Sequence, residues 1–350
     1  MEIIRNGTHS IYRVPKGTIL NLVTGGNSVA RATCSIAGVG PWISSGSPAI
    51  VGPFTQYAEV AVEVIAGYAG VDIAMPLPTA NAFAVGINDS YFSGSTAQKL
   101  SQAVAMIQTQ KGGFGSIEFD PGSAYTLTQA GTVLPWGGIQ YNWNGCLIDA
   151  SAIPNLTSDQ VSAGLVSAAF AVVPMSAAST ASLRNFQNPA SNLIMQGPSS
   201  EASTVDGVYF GRGGRTYGEV AGPDIKELSL EGFRDSVSIG SNSWLIKFRG
   251  GRLSKSKRYL LAVGALENDN MGESIELHGT LLNNARNSAH TGCAIFIGLD
   301  VAATVKMIGG SLDFNDSDFL LYGGHLDLGF VHQEGNSAAP NGKMVYTPGH

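Results

Sequence analysis

Glu267, Asp269, Glu273, Asp300, Asp313, Asp316 and Asp318 crowd the last third of the chain, and some of their spacings repeat. Asp269 stands ten residues before Gly279, Asp300 nine before Gly309 and Asp313 ten before Gly323. Paired acids are the machinery of glycoside hydrolysis: carboxyls about 5–5.5 Å apart serve as nucleophile and acid/base, and about 6.5–9.5 Å leaves room for a water. Strands stacked in parallel lie about 4.8 Å apart. Acids one rung apart approach the first spacing and acids two rungs apart the second. Asp269, Asp300 and Asp313, joined by Glu267 and Asp316, are therefore the catalytic candidates, expected to form a column on one face. The competing reading makes them turn carboxylates, since Asp satisfies local backbone donors.

A second group could hold a ligand. Gly251-Arg-Leu-Ser-Lys-Ser-Lys-Arg258 concentrates basic residues, so Arg252, Lys255 and Arg258 could grip an acidic sugar, unless the run is a solvated loop. Trp244 offers a ring on which a sugar face can stack, and Trp136, Tyr141 and Trp143 offer either more rings or core filling. His332 and Glu334 fall on one face of an extended segment, as an acid–base pair or a polar edge. His290-Thr-Gly-Cys293 has no second ligand pair, so no metal is expected. Gly211-Arg-Gly-Gly-Arg215 lacks the following helix that phosphate binding needs. No cofactor is implied.

These residues must be positioned by a strand-glycine phrase: Leu228-Ser-Leu-Glu-Gly232, Ile246-Lys-Phe-Arg-Gly250, Ile275-Glu-Leu-His-Gly279 and Val305-Lys-Met-Ile-Gly309. Its alternation buries one face of each strand, and the glycine lets the chain turn. The last three glycines stand 29 and 30 residues apart, a period suited to a coil of stacked β rungs. Gly232 to Gly250 is 18 residues, however, and Leu320-Leu-Tyr-Gly-Gly324 follows Gly309 after only 14. One rung cannot stand alone, so stacking is part of the fold.

Upstream, residues 96–111 carry Ala97, Leu100, Val104 and Ile107 at helical spacing, with Ser95 and Gln98 as a capping box and Gly112-Gly113 beyond. That stripe is expected to cover the open end of the stack. Residues 1–75 alternate in the β manner and form a separate module of about seven strands, and the proline-bearing stretch 76–95 is a linker or neck. The expected fold is all-β: a small amino-terminal β module, then a right-handed parallel β-helix over 96–350, entered through one capping α-helix.

Thr96-Ala-Gln98 opening the helix, Gly112-Gly113, the strand ending in Pro121-Gly122, Tyr125-Thr-Leu127 and Gly145-Cys-Leu-Ile-Asp-Ala-Ser151 resemble the opening segment of pectate-lyase-like right-handed β-helices of bacteriophage tailspikes. The resemblance covers about residues 95–151. It departs at Ser93-Gly-Ser95, where acids are common in the family, and at Phe119-Asp-Pro-Gly122. The chain ends at His350 without a recognisable carboxy-terminal trimerisation domain. The resemblance implies a virion tail protein made in the host cytoplasm, attached to the phage tail or an adaptor protein by residues 1–75. It would bind, and as a depolymerase cleave, bacterial surface polysaccharide. The alternatives are a structural or adaptor virion protein without activity, and a free-standing polysaccharide lyase or hydrolase.

Composition narrows the classes further. Charged residues make up only 13% of the chain, about half the usual share. A net charge of −6 gives no footprint for nucleic acid. Cys34, Cys146 and Cys293 form neither a disulfide framework nor a zinc motif. The apolar run Ala163–Met175 is too short for membrane insertion. It reads as interior wall, or as one of the low-charge walls that a parallel homotrimer would cover.

Overall fold

The computed structural model describes residues 2–14, 18–24, 27–36, 40–45, 49–52, 54, 56–74, 84–90, 92–111, 115–162, 165–174, 189–212, 219–265, 271–299, 301–335 and 345–346. The chain divides into two compact units, Met1–Ser93 with Met106–Ile117, and Gly94–Ala105 with Glu118–His350.

The first unit is antiparallel. Its strands are β1 (Glu2–Arg5), β2 (His9–Val14), β3 (Ile19–Thr24), β4 (Val29–Cys34), β5 (Trp42–Ser45), β6 (Ala49–Val51), β7 (Ala58–Ala66) and β8 (Tyr68–Ala74). They form two four-stranded sheets, ordered β1-β8-β3-β6 and β2-β7-β4-β5. Alternation decides what is buried: Val60, Val62 and Val64 of β7 join Ala30 and Ala32 of β4 and Leu20 and Leu22 of β3 in one core cluster. Helix α1 (Thr96–Lys111) starts as the residues dictate: Ser95 N–H donates to Gln98 Oε1 at 2.8 Å, and Gln98 N–H donates to Ser95 Oγ at 3.4 Å. Its stripe of Ala97, Leu100, Val104 and Ile107 is buried. A second, shorter helix, α2 (Ser158–Ser162), was not expected; the same kind of box, Thr157 with Gln160, opens it.

The second unit is a coil of parallel strands. Sheet I runs from Ala124–Thr126 through Leu147–Asp149, Ile194–Gln196, Ser229–Glu231, Arg252–Ser254, Leu281–Asn283 and Ser311–Asp313 to His332–Glu334. Sheet II runs from Thr132–Trp136 through Ala168–Pro174, Asp206–Phe210, Asp235–Ile239, Tyr259–Val263, Cys293–Ile297 and Ser317–Leu321 to Val345–Tyr346. Sheet III holds Asp224–Lys226, Lys247–Arg249, Ile275–His278, Thr304–Ile308 and His325–Gly329. Each full rung passes from sheet III to I to II. Equivalent residues stack inward in columns: Leu230, Leu253, Leu282 and Leu312 on sheet I, Val237, Leu261, Ile295 and Phe319 on sheet II, and Ile225, Phe248, Leu277 and Met307 on sheet III, all buried. Every rung thus lends its neighbour the apolar surface it lacks alone.

The phrases ending at Gly250, Gly279 and Gly309 are consecutive strands of sheet III, which explains the 29- and 30-residue period. The two irregular spacings arise because strands of different sheets carry the same phrase: Leu228–Gly232 belongs to sheet I, and Leu320 to sheet II. The true predecessor of Gly250 in its corner is Glu227, which takes the left-handed conformation at φ 49°, as Gly250 does at 64°. Each such residue donates its N–H to the last strand residue of the next rung, Glu227 to Arg249 O and Gly250 to His278 O. That shared bond fixes the corner whether or not glycine occupies it.

The strand read as interior wall is one, and it leaves no face for a partner chain to cover. Ala168–Pro174, the described strand within Ala163–Met175, lies in sheet II with every residue buried in the single chain, paired to Thr132–Trp136 on one side and Asp206–Phe210 on the other.

Candidate functional site

The outer face of sheet I follows from a triplet in which a buried apolar residue is flanked by two that alternate away from it, all of them at least partly exposed except the buried Ser254 and Ser311: Leu147-Ile-Asp149, Ile194-Met-Gln196, Ser229-Leu-Glu231, Arg252-Leu-Ser254, Leu281-Leu-Asn283 and Ser311-Leu-Asp313. One flank is polar in every rung. The other includes Leu147, Ile194 and Leu281, which remain exposed. With strands about 4.8 Å apart, the face is a ruled surface of hydroxyls, amides and carboxylates with aliphatic stepping stones.

Two adjoining depressions indent it. One, about 570 Å³, is lined by Gln140, Asn142, Asn144, Asn192, Lys226 and Glu227 among others. The second, about 320 Å³, is lined by Leu147, Gln196, Glu231, Arg252 and Ser254. Ile194 and Ser229 border both, so the two make one trough. Its carboxylates are already engaged. Glu227 Oε2 accepts the Gly251 N–H at 3.2 Å, and Glu231 pairs with Lys255 Nζ at 2.6 Å. Beside the trough on the same face, Ser151 donates a backbone hydrogen bond to Asp149 Oδ1 at 3.0 Å, and hydrogen bonding to Ser151 holds the Asp149 carboxyl below the usual range.

Farther along the same face, Asp313 pairs in register with Asn283 on one side and Glu334 on the other. Ser311 Oγ donates to Asp313 Oδ2 at 2.6 Å, while Asp313 Oδ1 is buried with no hydrogen-bond partner. His332 Nε2 lies 3.5 Å from Glu334 Oε2. Asp313 and Glu334 are thus carboxylates one rung apart, the arrangement paired-acid chemistry needs.

The glycine count that groups Asp313 with Asp269 and Asp300 does not follow the rung register. Asp313 follows the Gly309-Gly310 corner on sheet I, whereas the position equivalent to Gly309 in the next rung is Phe330, not Gly323. Glu267, Asp269 and Asp300 lie outside the described residues. Asp316 is fully buried and structural: its Oδ2 accepts N–H groups of Asn287 and Gly292 at 3.2 and 3.1 Å, so it holds the 287–292 loop.

The basic run also divides. Arg258 clamps Asp235, which is fully buried, with Nε at 2.9 Å from Oδ1, and its guanidinium stacks 4.8 Å from the Tyr259 ring centroid. Burial alone would lower the Arg258 pKa, but the hydrogen bond and charge of Asp235 outweigh it and raise it. One rung earlier Arg234 clamps Asp206 in the same way at 2.7 and 2.9 Å. Burial, then the neighbouring Asp235 charge, pushes the Asp206 carboxyl up to about 6. These stacked clamps hold the corner between sheets I and II, so Arg258 is withdrawn from ligand binding. Lys255 is the exposed partner of Glu231, and only Arg252 presents a guanidinium to the trough.

The aromatics are core. Trp143 is buried, stacked on Phe119 with centroids 4.3 Å apart, and its Nε1 donates to Pro189 O at 2.9 Å; Trp136 and Tyr141 are buried too. Trp244 is half-buried in a two-stranded pairing with Val220–Ala221, away from the trough lining. Cys293 is buried and donates to Ile295 O, and no cluster of metal-ligating side chains occurs among the described residues.

What the residues alone did not reveal was the trough lining of Gln140, Asn142, Asn192, Gln196 and Lys226. Of these only Gln196, directly after the buried Met195, follows the sheet I triplet; the others come from neighbouring segments that stacking alone brings to the trough.

No family model matches the chain, and no curated protein matches it in sequence. In structure it is similar, over 95% of its length, at 12% identity and a TM-score of 0.36, to the catalytic unit of a thermostable GH87 alpha-1,3-glucanase from Streptomyces thermodiastaticus strain HF3-3, of which it spans 61%. A likeness at that score carries no argument about activity.

Proposed function

We propose that this chain is a bacteriophage tailspike protein that binds bacterial surface polysaccharide along the outer face of sheet I. The trough is the observation that carries the reading. An extended polymer needs an extended site, and this one offers Gln140, Asn142, Asn192, Gln196 and Ser229 for sugar hydroxyls, with Leu147 and Ile194 for the apolar faces of the rings. The separate antiparallel sandwich of the first unit supplies the attachment to the tail. Where cleavage accompanies binding, Asp313 and Glu334 are the acids placed to carry it, Asp313 held by Ser311 and Glu334 by His332.

The test is a panel of purified capsular and lipopolysaccharide glycans, scored for binding and for release of reducing ends. Retention of at least one glycan, with reducing-end release lost in Asp313→Asn while binding persists, is the expected result. Binding of none removes the reading. Deletion of residues 1–75 should spare glycan binding and abolish incorporation into particles.

A further inference from the structure

Several cations of the coil's outer surface have a carboxylate beside them. Arg249 pairs with Asp224 at 2.7 Å, Lys247 with Glu276 at 3.4 Å, Lys255 with Glu231 at 2.6 Å and Lys306 with Asp327 at 3.8 Å. A chain with few charges has thus matched them across rungs. Arg286, which donates to the Gly335 carbonyl, does not follow that pattern, and neither do Lys226 and Arg252. Both are exposed and both line the trough, Lys226 in the larger depression and Arg252 in the smaller, yet among the described residues neither pairs with a carboxylate.

We propose that the trough selects acidic polysaccharide, with Lys226 and Arg252 receiving carboxylates of uronic acid or similarly charged sugars. This rests on the glycan-binding reading above and adds the charge class of the ligand. Of the two carboxylates that line the trough, Glu231 is neutralised by Lys255, and Glu227 stays anionic with its Oε2 turned to the Gly251 N–H, so Lys226, Arg252 and Lys255 outnumber the acids around it. Arg252 is also pre-oriented. Its Nε donates to Asn283 Oδ1 at 3.2 Å, one rung on, which leaves the terminal nitrogens of the guanidinium free to fork onto a carboxylate. Asn283 acts through Arg252 and is a positioning residue. Ile194 and Ser229, which border both depressions, give the sugar chain a path from one cation to the other.

The experiment compares each glycan of a bacterial capsular panel in its native uronate-bearing form and in its carboxyl-reduced form, which has the same backbone and no charge. The native form should bind at least about tenfold more tightly, and added salt should weaken it. Lys226→Gln with Arg252→Gln should erase the preference, and Arg252→Lys should restore only part of it, since the charge returns without the fork. Asn283→Ala should weaken the preference less than loss of Arg252 does. The variants lie on the outer face, and unchanged thermal melting verifies their fold. Equal affinity for native and reduced glycans overturns the acidic assignment and leaves glycan binding standing. Binding of neither form by the wild type overturns both.

Discussion

Arg252 and Arg258 belong to one basic run, yet the structure gives them opposite roles, and replacing each by Ala separates them. Removal of Arg258 leaves Asp235, which is fully buried, with a single remaining donor, the Tyr259 N–H at 3.1 Å. Breaking a buried pair from one side costs about 3–5 kcal/mol. The Arg258 side chain is 34% exposed, so water reaches part of the gap and the lower end, about 3 kcal/mol, is expected. Replacing Asp235 by Asn as well removes the stranded charge, so the double variant should recover part of the loss. Arg252→Ala, on an exposed side chain, should stay within about 0.5 kcal/mol of wild type. Urea unfolding of the three variants supplies the values. An Arg258→Ala protein as stable as wild type, or one that loses glycan binding at full stability, would refute the assignment of Arg258 to the corner.

The neighbouring clamp makes a pH prediction. Burial raises the folded Asp206 carboxyl to about 6 from its ordinary 3.8, so the folded chain takes up that proton before the unfolded chain does. Its contribution to stability is full below about pH 4, is lost as pH rises through 6, and is flat above; Asp206→Asn should erase that slope, and parallel pH–stability curves for the two proteins would count against it. Glycine corners should differ in tolerance. Gly279→Ala meets nothing within 4 Å and suffers only its φ of +66°, about 1–2 kcal/mol. Gly310→Ala would bring Cβ to 2.2 Å from the Thr280 carbonyl oxygen, and thermal melting should rank it well below Gly279→Ala. The tailspike reading also calls for a homotrimer, which sedimentation near three times 36.4 kDa would support and a stable micromolar monomer would oppose.

The coil was legible because its strongest constraint is local. Phe248, Leu277 and Met307 alternate with outward residues, and a glycine follows each strand, so period and buried face appear in the residues themselves. The capping box at Ser95–Gln98 was legible for the same reason. Sheet membership was not, because Leu228–Gly232 and Ile246–Gly250 share a pattern while only their pairing places them on different sheets. The site suffered most from this. Ligand grip and corner clamp demand the same residue type, and Arg258 is distinguished from Arg252 by Asp235, which lies 23 residues away in sequence. The trough itself arises from stacking segments as distant as Gln140 and Lys226, which no local spacing encodes.

The central claim is that sheet I's outer face is where glycan binds, and a steric block tests it most directly. Ser229 borders both depressions, so Ser229→Trp fills the junction of the trough from an outward position. Thr304→Trp places the same bulk on an exposed position of sheet III as a control. Glycan affinity measured by calorimetry should fall at least about tenfold for Ser229→Trp and hold at the wild-type value for Thr304→Trp. Undiminished binding by a folded Ser229→Trp protein would contradict the account.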